Sequence, residues 1–333
     1  MNKFLKIIFG VIVLAGLCLA LFYYEIYVPK EIGSVKSFYF TAQRGQGDDE
    51  IAFDLEKNNI INSNYFFRLY DFITGKGAKL KAGKYILSSG MSVAQIVDKF
   101  VRGDVVRDNI TIIEGWDLTD LKKYFLSKNF CNENNFFETV KNDFNQKFAF
   151  LNDKPENLSL EGYIFPDTYQ VALKDNCESI IKKTLANLDK KLTLDLRAEI
   201  IKQKKSIFDI ITMASIIEKE VTTQDDKKMV SGILWKRIAL GMPLQVDATI
   251  NYITKKDDAS VLIIDTKINS PYNTYKYAGL PKGPISSPGI DSIVAAIYPK
   301  QSQFLFYLST KDGKTIFSKT LAEHNLAIYK YLR

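Results

Sequence analysis

The first 30 residues carry a long, uninterrupted apolar run. Residues 7–24, IIFGVIVLAGLCLALFYY, contain no charge, and this length is close to that needed to cross the core of a bilayer. Lys3 and Lys6 precede the run, and a cluster of tyrosines ends it. A cleaved signal peptide is the competing interpretation, but no A-x-A site follows. The pattern predicts an uncleaved single-pass anchor over residues 1–30, with a cytoplasmic N-terminus.

Residues 31–105 combine helical and strand-like spacings. In one predicted helix, Phe66, Leu69 and Ile73 form a single apolar stripe. Gly90 and Ser92 open another helix, which Gly103 ends. The pattern predicts a small module of helices and short strands. The predicted helices cover residues 49–59, 62–73 and 92–103, and a turn and strand cover residues 80–87.

Residues 106–333 begin with a strand and continue with several helical patterns. From Gly241 onwards the chain is rich in Pro, Gly, Asn and Tyr, which suits loops that must hold a shape. FLFYLS and KTIFS read as two closing strands joined by a turn at residues 311–313. The fold class predicted for the exported part is α+β. The remaining predictions are a strand at 106–113 and helices at 118–127, 136–143, 178–198, 206–219 and 226–240.

A carboxylate interrupts the apolar face of the helix predicted at residues 206–219. At about 100° per residue, Ile207, Ile211, Ala214 and Glu218 fall on one line, whereas Glu220 falls elsewhere. A buried carboxylate is costly unless it is paired or protonated. Glu218 is therefore either a structural residue, paired with Arg or Lys or bonded to tyrosines, or an acid whose raised pKa has a use.

Composition narrows the chemistry only slightly. The chain has 333 residues, a net charge of +7 and a pI near 9.0, but no dense Lys/Arg run with interleaved aromatic residues, so nucleic acid is not an expected partner. One histidine and three cysteines argue against a zinc site, and we expect no metal and no cofactor. Cys131 and Cys177 could form a disulfide if the domain is exported, although three free thiols fit equally well.

Two nucleophilic arrangements fit the sequence poorly. A Ser-His-Asp triad would have to use His324, which lies in a helical ending, and there is no G-x-S-x-G elbow. Ser179 and Lys182 form an S-x-x-K, but S-D-N and K-T-G are absent.

Carboxylate chemistry remains, and a single residue can perform it. One protonated carboxyl group can protonate a leaving glycosidic oxygen and then deprotonate a hydroxyl of the same sugar, so no water is activated. Burial on an apolar helix face suits Glu218 to this role. The other carboxylates in unusual contexts are Glu161, Asp167 and Asp247.

Four long segments, in order along the chain, carry a family resemblance. They are LKAGKYIL with EGWD, SLEGYIFPDTY, ASIIEKE, and MPLQVDATINY followed by SPYNTYKYAGLPKGPISSPG. Together they resemble the YceG-like family of endolytic murein transglycosylases, over nearly the whole chain.

The resemblance implies an enzyme of the bacterial inner membrane whose catalytic domain, residues 106–333, faces the cell wall. Such an enzyme would cleave nascent peptidoglycan strands between MurNAc and GlcNAc and leave 1,6-anhydro-MurNAc ends. The family's catalytic glutamate maps to Glu218, and residues 31–105 resemble its LysM-like subdomain. Peptidoglycan synthases are implied as partners.

The resemblance also implies a set of cleft residues that bind sugar hydroxyls and N-acetyl groups. Asp167 could instead cap a turn after Pro166, and Asp247 could cap the following helix. The chain departs from the family pattern at Lys236 to Ile238, where N-R-L is common, and at Thr315, where a histidine is often found. The implied cleft residues are Glu161, Asp167, Gln245, Asp247, Asn273, Thr274 and Tyr275.

Two alternatives stay open at this point. A non-catalytic scaffold that binds the wall and recruits synthases would keep the anchor and the first module. A hydrolase would use Glu218 as acid and Glu161 or Asp247 as base, and would leave reducing rather than anhydro ends.

Overall fold

The computed structural model describes residues 3–32, 37–172, 175–256, 261–310 and 312–332. It is a mixed α+β structure that divides into two compact units. Unit 1 comprises Met1–Asn109 and Gln170–Asp175, and unit 2 comprises Ile110–Tyr169 and Asn176–Arg333. The chain therefore returns to unit 1 once, between the two parts of unit 2.

Unit 1 is a two-stranded antiparallel sheet packed with helices. Phe40 pairs with Tyr85 across the sheet, and both rings pack edge-on against Phe100. The last helix starts at a capping box of Ser92 with Gln95 and ends at Gly103, as its sequence predicts. The elements are α1 (Lys3–Tyr27), β1 (Ser37–Ala42), α2 (Asp48–Lys57), α3 (Asn64–Thr74), β2 (Gly83–Ser88) and α4 (Val93–Arg102).

Helix α1 is long and apolar enough over Phe4–Tyr27 to cross a membrane. Its last turns belong to the core of unit 1. Ile26 is fully buried, Phe22 packs against Phe66, and Tyr27 packs edge-on against Tyr70. The apolar helix and the folded unit therefore share one hydrophobic cluster.

Helix α3 forms where the sequence predicts it, but its apolar stripe is directed largely away from the core. The buried side of α3 consists of Phe67, Tyr70 and Asp71. Of the three residues in the predicted stripe, only Phe66 packs against the core cluster, while Ile73 is exposed. Sequence spacing identified the helix and a coherent stripe, but not the side that the core covers.

Unit 2 is mainly helical, and α9 lies at its centre, packed against α8, α10, α11 and α12. Strands β5 and β6 are antiparallel, with Leu308 opposite Ile316, and Lys311 of the predicted turn lies outside the described residues. The elements are α5 (Leu118–Ser127), α6 (Glu133–Lys141), α7 (Cys177–Lys191), α8 (Leu194–Lys202), α9 (Ile207–Glu220), α10 (Gln224–Ala239), α11 (Asp247–Thr254), α12 (Ile290–Ile297), β5 (Phe306–Ser309), β6 (Thr315–Ser318) and α13 (Leu321–Tyr331). A further sheet pairs β3 (Arg107–Thr111) with β4 (Thr168–Ala172).

Several elements differ from the predictions. The single helix predicted at 178–198 is two helices, because the Thr193 hydroxyl accepts from Leu196 N–H and starts α8. Strands β1 and β4 and helix α12 were not predicted. The domain bounds 1–30, 31–105 and 106–333 remain predictions.

A disulfide joins Cys131, before α6, to Cys177, the first residue of α7. The two Cα atoms are 5.6 Å apart. The structure therefore favours the paired alternative that the sequence left open. Cys18, in α1, is a free thiol.

Candidate active site

Glu218 lies in the last turn of α9, at the end of a buried run. A capping box of Ser206 with Asp209 starts this helix, and residues 210–217 are all buried. The Glu218 side chain is 8% exposed. The periodicity of the sequence thus placed this carboxylate correctly on the apolar side.

Three donors hold the Glu218 carboxylate. Lys227 Nζ lies 3.1 Å from Oε1, while Oε2 accepts from Gly289 N–H at 2.9 Å and from the Ser292 hydroxyl at 2.7 Å. Lys227 projects from α10 and is itself 5% exposed. Glu218 therefore has the cationic partner that the structural interpretation required.

The same contacts explain how the site is built. Gly289 is the N-cap of α12 and has no side chain with which to cap it, and Ser292 is the third residue of that helix. The Glu218 carboxylate, from α9, is the acceptor for the donor groups at the start of α12. Its negative charge also lies at the positive end of the α12 dipole, which favours the arrangement.

A second carboxylate, Glu114 of the EGWD segment, borders this site. A Cβ on Gly289 would lie 2.0 Å from Glu114 Oε1, so glycine at this position brings the two carboxylates close to one backbone group. Burial raises the pKa of Glu114, and the nearby charge of Glu218 raises it further. Within EGWD, the sequence alone did not single out Glu114. The only signal in the sequence is an acidic residue directly before a glycine, and the structure shows that this glycine, Gly115, has φ 78°.

A cavity of about 140 Å³ adjoins Glu218 through Gly115 and Lys219. The Cβ position of Gly115 lies 3.5 Å from Lys219 Cδ and 3.9 Å from Glu218 Cγ. The wall includes Lys123 and Lys255, and Lys255 Nζ pairs with Asp117 at 2.7 Å. The cavity is polar and of a size for part of a sugar or a short polar group.

Glu161 is buried beside this cavity, in a different environment from Glu218. The Leu118 N–H donates to both of its carboxyl oxygens at 3.2 Å, and the Tyr252 hydroxyl donates to Oε2 at 3.1 Å. Burial raises the pKa of Glu161 to about 8, and the charge of Asp117 adds to the effect. The group fixes the start of α5 against α11.

The predicted residues at 245, 247 and 275 belong to a separate polar cluster. Tyr275 donates its hydroxyl to Asp247, so Asp247 bonds a tyrosine and does not cap α11, whose N-cap is Val246. The Gln245 side chain accepts from Arg237 at 2.8 Å, and its backbone is left-handed, with φ 53°.

Glu220 joins this region from the end of α9 and accepts from the Tyr307 hydroxyl at 2.9 Å. Burial raises the pKa of Glu220 to about 7. The helix wheel had placed Glu220 off the apolar line of α9, and the closing strand β5 covers it from the other side.

Asn273 and Thr274 are buried, and their polar side-chain atoms bond within the protein: Asn273 within its own loop, and Thr274 to the start of α11. Asn273 Nδ2 donates to the carbonyl groups of Thr266 and Ile268, at 2.9 and 2.8 Å. The Thr274 hydroxyl accepts from Val246 N–H at 3.0 Å. These contacts match the loop-holding role that the sequence left open.

Asp167 is exposed and holds a local turn. Its carboxylate accepts from the Thr168 N–H at 2.7 Å and from Asn187 Nδ2 at 2.8 Å. Its backbone carbonyl accepts from Ile112 N–H. The capping role after Pro166 is therefore the one that its contacts support.

The remaining candidate chemistries receive no geometric support. Within the described residues, no three His, Cys, Asp or Glu side chains are grouped so as to hold a metal ion. Ser179 belongs to the capping box that starts α7, and the His324 ring stacks on Phe306.

Comparisons with known proteins give matches over most of the chain. The sequence model of the YceG-like family matches residues 40–330. Endolytic murein transglycosylase of Bacillus subtilis is 34% identical over 91% of this chain and 87% of its own length. That of Streptococcus pneumoniae R6 is 28% identical over 92% of this chain, which spans 60% of the pneumococcal protein. A crystal structure of a YceG-like protein from Listeria monocytogenes superposes with a TM-score of 0.59 at 33% identity, covering 88% of this chain and 99% of that one.

Proposed function

The chain belongs to the YceG-like family, and from this premise we propose that it is a lytic transglycosylase that cuts peptidoglycan strands internally. It cleaves between MurNAc and GlcNAc and leaves 1,6-anhydro-MurNAc ends, with Glu218 as acid and then base. The observation that carries the proposal is a buried carboxylate fixed by Lys227, Gly289 and Ser292, in the ASIIEKE segment and beside an open polar cavity.

The reaction balances without water. Protonated Glu218 gives its proton to the glycosidic oxygen as the bond from that oxygen to C1 of MurNAc breaks, so GlcNAc leaves with a free 4-hydroxyl. The carboxylate then takes the proton of the MurNAc 6-hydroxyl, whose oxygen bonds to C1. The anhydro ring closes, and Glu218 regains the proton that it lost.

Lys227 is a positioning residue in this proposal. Its ammonium group lies 3.1 Å from Glu218 Oε1, and both side chains are buried. Together with the Gly289 N–H and the Ser292 hydroxyl, it fixes the orientation of the reacting carboxyl group.

The other predicted residues divide into two roles. The first role is to support the glycan cleft, and two groups share it: Glu161 beside the cavity, and the separate polar cluster of Gln245, Asp247 and Tyr275. Asn273, Thr274 and Asp167 hold the loops that shape it, because their polar atoms are used within the protein.

The wider setting follows from the same family premise. Helix α1 anchors the protein in the bacterial cell membrane with its N-terminus in the cytoplasm and unit 2 facing the wall. Residues 31–105 act as a LysM-like module that contacts glycan. Peptidoglycan synthases are the expected partners, since the substrate is the nascent strand that they release.

The test uses the full chain in detergent with uncrosslinked glycan strands, and mass spectrometry of the new ends. Anhydro ends from the parent and none from Glu218→Gln would support the proposal. Glu138→Gln is the matched control, because Glu138 is an exposed residue of α6. Its ends should equal those of the parent.

Two other outcomes correspond to specific observations. The ion pair with Lys227 is what a purely structural Glu218 would make, so absent cleavage by folded protein in detergent and in membranes would favour a wall-binding scaffold. Reducing ends would indicate a hydrolase. Its base would then be Glu114, which borders the Glu218 site, in place of the predicted Glu161 or Asp247.

A further inference from the structure

The apolar helix α1 continues directly into the folded part of unit 1. Ile26 is fully buried in the core of unit 1, and Phe22 packs against that core. Immediately beyond α1, Lys30 Nζ reaches the carbonyl of Ile61, and Glu31 N–H donates to the carbonyl of Ser89 at 3.0 Å. The helix therefore enters the folded unit directly.

The length of α1 places this junction at the membrane. A helix rises 1.5 Å per residue, so a hydrocarbon core of about 30 Å takes about 20 residues. Counted from Ile7, the first residue after Lys6, that length ends near Ile26. Phe22 then lies at the depth of the acyl chains, and its ring contacts Phe66 of α3, with centroids 6.4 Å apart.

The outer stripe of helix α3 lies on the side that the core does not cover. It consists of four residues with the spacing of one helix face, namely Tyr65, Leu69, Phe72 and Ile73. Phe72 is 86% exposed, and Tyr65 and Ile73 are each 62% exposed. Large apolar side chains so exposed, on a helix that touches the spanning segment, are typical of contact with a membrane or a partner.

We propose that this stripe is seated in the outer leaflet, at the boundary between head groups and acyl chains. The occupant is lipid because the stripe is continuous, through Phe66 and Phe22, with a helix already at that depth. In this proposal unit 1 is itself bound to the membrane surface, and is not a module joined to the anchor by a flexible linker. The inference goes beyond the enzymatic proposal and depends on α1 spanning the membrane with its N-terminus in the cytoplasm, as proposed above.

The first test measures depth directly in the full chain. The protein is placed, one copy per nanodisc, in phosphatidylcholine and phosphatidylglycerol, with Cys18→Ser to leave no competing free thiol. A bimane label at Phe72→Cys should lose emission when the acyl chains are brominated. The same label at Tyr39→Cys, an aromatic residue of β1 that is 69% exposed, should keep it. Unchanged emission at position 72, or equal loss at both positions, would overturn the proposal.

The second test removes the stripe without touching the core. Phe72→Glu with Ile73→Glu should restore the emission of a label at Tyr65→Cys in brominated discs. Leu326→Glu, at a residue of α13 that is 70% exposed, is the control and should leave that label quenched. A label still quenched beside the two glutamates would contradict the proposal. So would a label shielded only in discs that hold two copies, because the occupant would then be a second copy.

Strand cleavage by the same proteins in detergent separates this inference from the enzymatic one. The two glutamates leave Glu218 and its partners untouched, so the new strand ends should still be anhydro ends, even if the rate of cleavage changes through the glycan contact proposed for residues 31–105. If the label shows no contact with lipid but cleavage is intact, only the proposal that unit 1 is bound to the membrane is overturned.

Discussion

Glu218 and Glu161 are both buried glutamates of unit 2, yet they are stabilised in opposite ways. Glu218 meets an ammonium group, a backbone N–H and a hydroxyl at the start of α12. Glu161 meets one backbone N–H and a tyrosine, and burial raises its pKa to about 8. Burial is common to both residues, so burial alone does not distinguish the proposed acid, Glu218, from Glu161, which holds α5 against α11.

The largest effect on activity is expected for Glu218→Gln. Glutamine keeps the shape but cannot deliver the proton, so strand cleavage should fall at least about a hundredfold. Glu161→Gln should cost far less, because Glu161 touches α5 and α11 and not the proposed reacting bond. The rate of appearance of anhydro ends measures both. Equal losses in the two variants would contradict the assignment.

The second prediction concerns the stability of the ion pair. Lys227→Met leaves Glu218 buried without its cation and should cost about 3 kcal/mol of unfolding free energy. Because the same argument applies to a buried Lys227, Glu218→Gln should also destabilise the protein. The double variant should recover much of this stability while remaining inactive. Urea titrations measure the stability, and a double variant no more stable than the single ones would contradict the pairing.

The third prediction concerns how the stability of the protein depends on pH. A glutamate carboxyl group ordinarily has a pKa of 4.5, whereas the pKa of Glu161 in the folded protein is about 8. Between these values the native state keeps a proton that the unfolded chain has lost, so raising the pH reduces stability across this window. Glu161→Gln should remove that slope and be more stable than the parent at the upper end, by up to a few kcal/mol.

Tyr252→Phe is the matched control for the pH test. It removes the hydroxyl that donates to Glu161 but keeps the carboxyl group. The falling slope should persist in this variant. A slope that survives in Glu161→Gln would assign the titration to another group.

The smallest effect is expected at the rim of the cavity. Lys255 pairs with Asp117 and lies over the Tyr252 ring, but it is partly exposed, so Lys255→Gln should change stability by less than about 1 kcal/mol. If the cavity takes part of the glycan, KM should rise while kcat changes little. Lys202→Gln, at an exposed lysine of α8, is the control. A lower kcat with unchanged KM would contradict a binding role.

The comparison also shows what the sequence could reveal. The spacing of Ile207, Ile211 and Ala214 was enough to place Glu218 on the buried side of α9. Its partners were beyond reach, because Lys227 follows a turn and Ser292 lies 74 residues along the chain. Side-chain pairing between helices depends on how they pack, which helical spacing does not encode.

The same limit applies to the fold. Repeating apolar positions predicted most helices, including α3. They did not predict which side of α3 the core covers, because this helix has large apolar residues on two sides. The core covers the side of Phe67 and Tyr70, and not the predicted stripe of Phe66, Leu69 and Ile73. The break between α7 and α8 was missed because Thr193 acts through a cap, and apolar spacing continues across it. The family motifs indicated the candidate segments, whereas only geometry distinguished a loop-holding residue such as Asn273 from Glu161, which lies beside the cavity.

The disulfide between Cys131 and Cys177 has a consequence for the covalent topology of the chain. It closes a ring that contains Gln170–Asp175, the segment with which the chain returns to unit 1. A protease that cuts once anywhere between the two cysteines therefore leaves a single molecule, whose fragments separate on a gel only after reduction. Nicked protein would keep the mass of intact protein in non-reducing conditions.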